Sequence, residues 1–139
     1  MGLGKPNDFE KNNNNKPRLK ILVVDDDDLN RRMMKVLLGL DGHLVDLAAS
    51  GSEALDAMKS KKFDIVFMDI QMPIMDGVET SRRLRDWENG ESRTFVVALT
   101  ASYLPEDGQK LFDAGIDNYI LKPFQPEHIQ HILKYSIGA

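Results

Sequence analysis

The sequence predicts an α/β fold in which a parallel sheet is covered on both faces by helices. Two observations carry this. Between residues 19 and 136, short apolar, β-branched runs alternate with longer segments of helical period. The short runs are apolar throughout rather than every second residue, which is the pattern of strands buried on both sides. The length, 139 residues, suits one domain with one hydrophobic core.

The elements follow in order. Residues 1–18 are rich in Asn, Lys, Gly and Pro, and Asn12–Asn15 is a low-complexity run, so this segment reads as a disordered tail or linker, with the folded unit at 19–139. Lys20–Val24 is the first strand. Leu29–Leu40 is a helix that places Leu29, Met33, Val36, Leu37 and Leu40 on one face, with Asp28 as its N-cap and Gly42 as its stop. His43–Ala48 is a strand, and Ser50–Glu53 opens a helix to about Ser60 that buries Ala54, Leu55 and Met58. Phe63–Met68 is the strand with the strongest apolar character. After a loop ending in the Asp76–Gly77 turn, a helix to Trp87 offers Val78, Leu84 and Trp87 for burial. Thr94–Leu99 is a strand, Pro105–Ala114 a helix with proline in its first turn, Asn118–Leu121 a strand, and Pro126–Ser136 a helix burying Ile129, Ile132 and Leu133. Five strands and five helices in alternation point to a flavodoxin-like doubly wound sheet of order 2-1-3-4-5 with right-handed crossovers.

Composition narrows the function classes. There is no cysteine, which excludes disulfides, thiolate metal sites and thiol nucleophiles. No apolar run approaches the roughly 20 residues of a membrane helix, and the N-terminus has no apolar stretch that reads as a signal peptide. A cytoplasmic protein is expected. The net charge is −4. Residues 1–20 carry five basic and two acidic side chains, so the body is more acidic than the total, which argues against direct nucleic-acid binding.

In sheets of this type ligands bind beyond the carboxyl ends of the strands. The groups found there are Asp25 and Asp26 after the first strand, Asp69 after the third, Thr100 after the fourth and Lys122 after the fifth. Each alone has an ordinary reading as a turn residue, cap or surface lysine. Together they place three carboxylates, a hydroxyl and an ammonium on one rim. Two carboxylates about 4 Å apart repel by roughly 4 kcal/mol at an effective dielectric of 20, so the cluster calls for a cation. Oxygen ligands with no Cys or His nearby favour a hard ion, Mg²⁺ or Mn²⁺. Such a site suits phosphoryl transfer to a carboxylate.

Five segments carry a resemblance: Val23-Val24-Asp25-Asp26, Met68-Asp69-Ile70-Gln71-Met72-Pro73, Met75-Asp76-Gly77, Leu99-Thr100-Ala101 and Tyr119-Ile120-Leu121-Lys122-Pro123-Phe124. In order and separation they resemble the signature of response-regulator receiver domains of two-component systems, over residues 19–136. Leu29-Asn30-Arg31-Arg32 and Arg85-Asp86-Trp87-Glu88 are most similar to receivers attached to hybrid sensor histidine kinases. The resemblance implies that Asp69 is the phosphoacceptor. It implies that Asp26, Asp69 and the Gln71 carbonyl hold the metal directly, with Asp25 acting directly or through water, and that Thr100 and Lys122 hold the phosphoryl oxygens. The Lys122–Pro123 bond is then cis, and Thr100 with Tyr119 forms the switch. Gln71 and Ser102 sit where family members tune dephosphorylation, and Asp27 and Asp28 are expected to add field rather than ligands.

The implied donor is a phosphohistidine on a histidine kinase or a histidine phosphotransfer protein. His43, His128 and His131 are not placed to supply it internally. The implied signalling surface comprises helix 105–114, strand 118–121 and helix 126–136. Three other readings fare worse. A phosphohydrolase with an aspartyl nucleophile usually has a second carboxylate two residues on, where Gln71 stands. A calcium loop counted from Asp25 or Asp26 lacks glycine at its sixth position and glutamate at its twelfth. A degenerate receiver that only binds protein would be missing site groups that are all present here.

Overall fold

The computed structural model describes residues 10–11, 17–101 and 105–137. Most of the expected tail, and Ser102, lie outside the described residues. Within the tail, Glu10–Lys11 pairs antiparallel with Pro17–Arg18. The main sheet comprises β1 (Lys20–Val24), β2 (Leu44–Ala48), β3 (Ile65–Asp69), β4 (Phe95–Thr100) and β5 (Asn118–Leu121). All its pairings are parallel, in the order β2-β1-β3-β4-β5. The helices are α1 (Asp28–Leu40), α2 (Gly51–Ser60), α3 (Gly77–Glu88), α4 (Pro105–Asp113) and α5 (Pro126–Ile132), the last continuing into a π-helical turn over Leu133–Ile137. The predicted fold class and strand order are those observed.

Strand alternation divides the core in two. Leu22, Val24, Val66, Met68, Val96 and Ala98 face α2, α3 and α4. Ile21, Val23, Ile65, Phe67, Val97 and Leu99 face α1 and α5. Both layers are apolar, which is why β1, β3 and β4 read as continuous apolar runs.

Three expectations are corrected. The face of α1 turned to the sheet is set by Met34 and Leu38, with Leu37 beside them. Leu29, Met33, Val36 and Leu40 are 65, 54, 62 and 78% exposed. The helix has more apolar residues than one face can bury, so periodicity alone does not choose among them. Its N-cap is Asp27, whose carboxylate accepts the Leu29 and Asn30 N–H groups at 2.9 and 3.1 Å. Trp87 on α3 is 51% exposed, and the inward row runs through Thr80, Ser81, Leu84 and Glu88.

Glu88 is buried because it belongs to a clasp at the end of the sheet away from the rim. Arg85 donates to Glu88 at 2.7 Å, to the Gly115 carbonyl at 2.9 and 2.7 Å, to the Thr94 carbonyl at 2.8 Å and to Asp117 at 3.1 Å. Glu88 accepts the Thr94 N–H, Asp117 accepts the Val96 N–H, and Arg93 also pairs with Asp117. Gly115 has φ +84°, and a Cβ there would stand 2.6 Å from the Arg85 side chain. The clasp ties the end of α3 to the turn after α4. Glu88→Ala removes one of the two carboxylates that Arg85 holds and leaves the Thr94 N–H without its acceptor. It should lower stability by about 2 kcal/mol, read as a reduced urea midpoint, whereas truncating the exposed Trp87 should change it little.

Candidate functional site

Asp25 and Asp69 continue the β1 and β3 rows that face α1 and α5, while Thr100 continues the β4 row on the opposite face. The acidic pair and the hydroxyl therefore meet across the carboxyl rim of the sheet. Asp25 and Asp69 are buried and Asp26 is exposed. One carboxylate oxygen from each of the three lies within 4.8 Å of the others. Two oxygens on one Mg²⁺ stand at most about 4.2 Å apart, so small side-chain adjustments bring all three onto one ion. The oxygen-only donor set fits a hard divalent cation.

Lys122 supplies the positive charge present in the chain itself. Its Nζ lies 3.2 Å from Asp69 Oδ1 and 3.8 Å from Asp25 Oδ2. The strand ends hold these groups by backbone bonds: Lys122 N–H donates to Thr100 O at 2.8 Å, Ile70 N–H to Leu99 O at 3.1 Å and Asp25 N–H to Ala48 O at 3.1 Å. The Lys122–Pro123 peptide is cis. Gln71 N–H donates to Asp69 Oδ1 at 3.3 Å, which ties the loop after β3 to the Asp69 carboxylate. That loop is clipped at its far end, where Gly77 N–H donates to Ile70 O at 2.9 Å. A Cβ on Gly77 would approach the Asp69 carbonyl to 2.6 Å, so only glycine lets α3 start this close.

Tyr119 packs half-buried against the core layer that includes Leu111 and Ala114. It pairs with Ala98 across β4, on the same sheet face as Thr100 two residues on. The sequence reading missed the apolar groove beside the site. A cleft of about 960 Å³ runs from Asp25 and Lys122 between α1 and the loop after β5, lined by Met33, Val36, Leu37 and Phe124. Its sequence signal is the surplus of apolar residues on α1, more than the sheet-facing side buries. His43, which accepts the Leu19 N–H, and His128, which accepts the Gln125 N–H, have structural partners.

Burial raises the Asp69 carboxyl above the usual carboxylate range, with Asp25 adding to the rise and Lys122 opposing it. A raised folded value means the native state keeps a proton that the unfolded chain gives up. The resulting stability is present below the ordinary carboxylate value and is lost as pH climbs through the folded one. At pH 7 the ionised Asp69 therefore costs stability. Asp69→Asn should show a higher urea midpoint than the unaltered chain at pH 7 in chelator, and the gain should shrink as pH falls into the acid range. A lower midpoint at pH 7 would contradict this.

The response regulator receiver domain family matches residues 21–134. Hybrid signal transduction histidine kinase L of Dictyostelium discoideum is 40% identical over 120 residues, 83% of this chain and 7% of that protein. The chain thus spans less than a tenth of that relative. A sensor histidine kinase receiver domain from Pseudomonas aeruginosa, solved with a magnesium ion coordinated in its active-site cleft, is 34% identical with a TM-score of 0.78, covering 88% of this chain and 99% of that one. The receiver domain of the Saccharomyces cerevisiae response regulator Ssk1, solved with the histidine phosphotransfer protein Ypd1, is similar to this chain at 28% identity and TM-score 0.80, over 85% of this chain and 88% of that chain. On the fold, the rim of acidic residues and these likenesses together, the chain belongs to the response regulator receiver domain family of two-component signalling.

Proposed function

We propose that residues 19–139 act as a phosphorelay receiver, with residues 1–18 as a linker, and that Asp69 takes a phosphoryl group from a phosphohistidine on a histidine kinase or histidine phosphotransfer protein. The convergence of Asp25, Asp26 and Asp69 within 4.8 Å, with Lys122 3.2 Å from Asp69, carries this reading. An Asp69 oxygen forms the O–P bond as the P–N bond to the donor imidazole breaks, and the electron pair returns to the imidazole nitrogen. Mg²⁺ or Mn²⁺, held by Asp25, Asp26, Asp69 and the Gln71 carbonyl, would neutralise charge on the transferring oxygens. Lys122 stabilises the same oxygens from the other side, and the Thr100 hydroxyl donates a hydrogen bond to them. Each chain accepts one group, so the outcome is a signal rather than turnover.

Thr100 and Tyr119 lie on one face of the sheet under α4. In this reading Thr100 moves toward the phosphoryl group, Tyr119 turns into the vacated space, and the surface of α4, β5 and α5 changes its affinity for a partner. The donor docks on the other side. The exposed Met33 and Val36 of α1 flank a groove that opens onto Asp25 and Lys122, an apolar strip of the kind that receives a helix.

Incubation with Mg²⁺ and a small acyl phosphate should add about 80 Da, one phosphoryl group, and Asp69→Asn should abolish the adduct. Met33→Asp should leave that labelling intact while slowing transfer from a phosphorylated histidine phosphotransfer protein at least about tenfold, as expected for a charge placed in an apolar contact. A chain that fails to label in any condition is a passive binding module instead.

A further inference from the structure

Asp25–Asp28 are four consecutive acids, and the rim uses two of them. Asp27 caps α1. Asp28 pairs with Arg31 and with Arg32, each at 2.9 Å. The two arginines differ in what else they do. Arg32 is an exposed side chain, 74% accessible, whereas that of Arg31 is 14% accessible. Arg31 Nη1 donates to the Asp25 carbonyl at 2.6 Å while Nη2 holds Asp28. That carbonyl belongs to the peptide plane leading into Asp26, so fixing it fixes the direction in which Asp26 leaves β1. Asp25 has further anchors, its N–H on Ala48 O and its Oδ1 accepting the Asp27 N–H at 2.9 Å. The exposed Asp26 carboxylate has no such anchor among the described residues, and its aim toward Asp25 and Asp69 depends on the backbone.

We propose that Arg31 is a positioning residue for the divalent cation: its guanidinium, forked between the Asp25 carbonyl and the Asp28 carboxylate, holds the Asp25–Asp26 peptide so that Asp26 faces the site before the ion arrives. This rests on reading the rim as a cation site. Charge and positioning make opposite predictions. Arg31 is a cation close to a dication, so by charge alone its removal tightens ion binding. As a group that orients a ligand, its removal weakens binding, typically by about 10- to 100-fold.

The test is calorimetric titration of Mg²⁺ alone into the full chain and into Arg31→Met, Arg31→Lys and Arg32→Met, with the urea midpoint of each metal-free variant read alongside. Arg31→Met should bind Mg²⁺ at least about tenfold more weakly. Arg32→Met, which removes the same charge from the same turn of α1 but not the fork, should bind as tightly as the unaltered chain or tighter. Arg31→Lys keeps the charge and cannot span both acceptors, so it should remain several-fold weaker even where its urea midpoint is unchanged. Equal effects at positions 31 and 32, tighter binding by Arg31→Met, or full recovery in Arg31→Lys would overturn the role of Arg31 while leaving the cation site standing. No Mg²⁺ uptake by the unaltered chain would overturn the site reading and this proposal with it.

Discussion

Three carboxylates, those of Asp25, Asp26 and Asp69, stand within 4.8 Å of one another, and a single ammonium, Lys122, reaches two of them. At that range each pair repels by several kcal/mol at protein-like dielectric. One lysine does not neutralise three carboxylates, and burial, more than the neighbouring charges, holds the Asp69 carboxyl above the usual range against the pull of Lys122. The rim is therefore a place of stored repulsion that the rest of the fold must hold shut. A divalent ion would relieve it, and so would a change in charge at Asp69.

The means of holding it are distributed. The parallel ladder delivers Asp25, Asp69 and Thr100 to the same edge. Backbone bonds from Asp25, Ile70 and Lys122 to neighbouring strand ends fix the bases of the loops. Gly77 lets α3 seat against the Asp69 carbonyl, and Asp76 caps that helix through the Glu79 N–H at 2.8 Å. At the far end of the sheet the Arg85 clasp ties α3 to the turns before β4 and β5, so the elements above the site share a common anchor. The layer beneath α1 and α5 and the layer beneath α2, α3 and α4 are separate apolar clusters. A donor approaching along α1 and a response spreading through Tyr119 would thus use opposite faces of one sheet.

Much of this was legible in the sequence because each signal was local. Fully apolar strands, a proline opening α4 and polar groups just past strand ends need no long-range information. What failed needed it. The apolar residues of α1 fit more than one face, and only contact with the sheet selects Met34 and Leu38 over Met33 and Val36. Trp87 reads as core by chemistry, yet the inward position belongs to Glu88, whose partner Arg85 is itself held by Gly115 and Asp117 some thirty residues away. Arg31 could be read from spacing as a partner for Asp28 three residues earlier. Its bond to the Asp25 carbonyl could not, because a backbone acceptor leaves no mark in sequence.

The central claim, one shared cation at this rim, is tested most directly by adding substoichiometric Mn²⁺ to the isotopically labelled chain and following amide signals by NMR. The account predicts that paramagnetic broadening centres on Asp26, Asp69 and Gln71, and that excess Mg²⁺ reverses it. Broadening spread across the acidic surface, or centred on Asp27 and Asp28 with Asp69 and Gln71 unaffected, would contradict it.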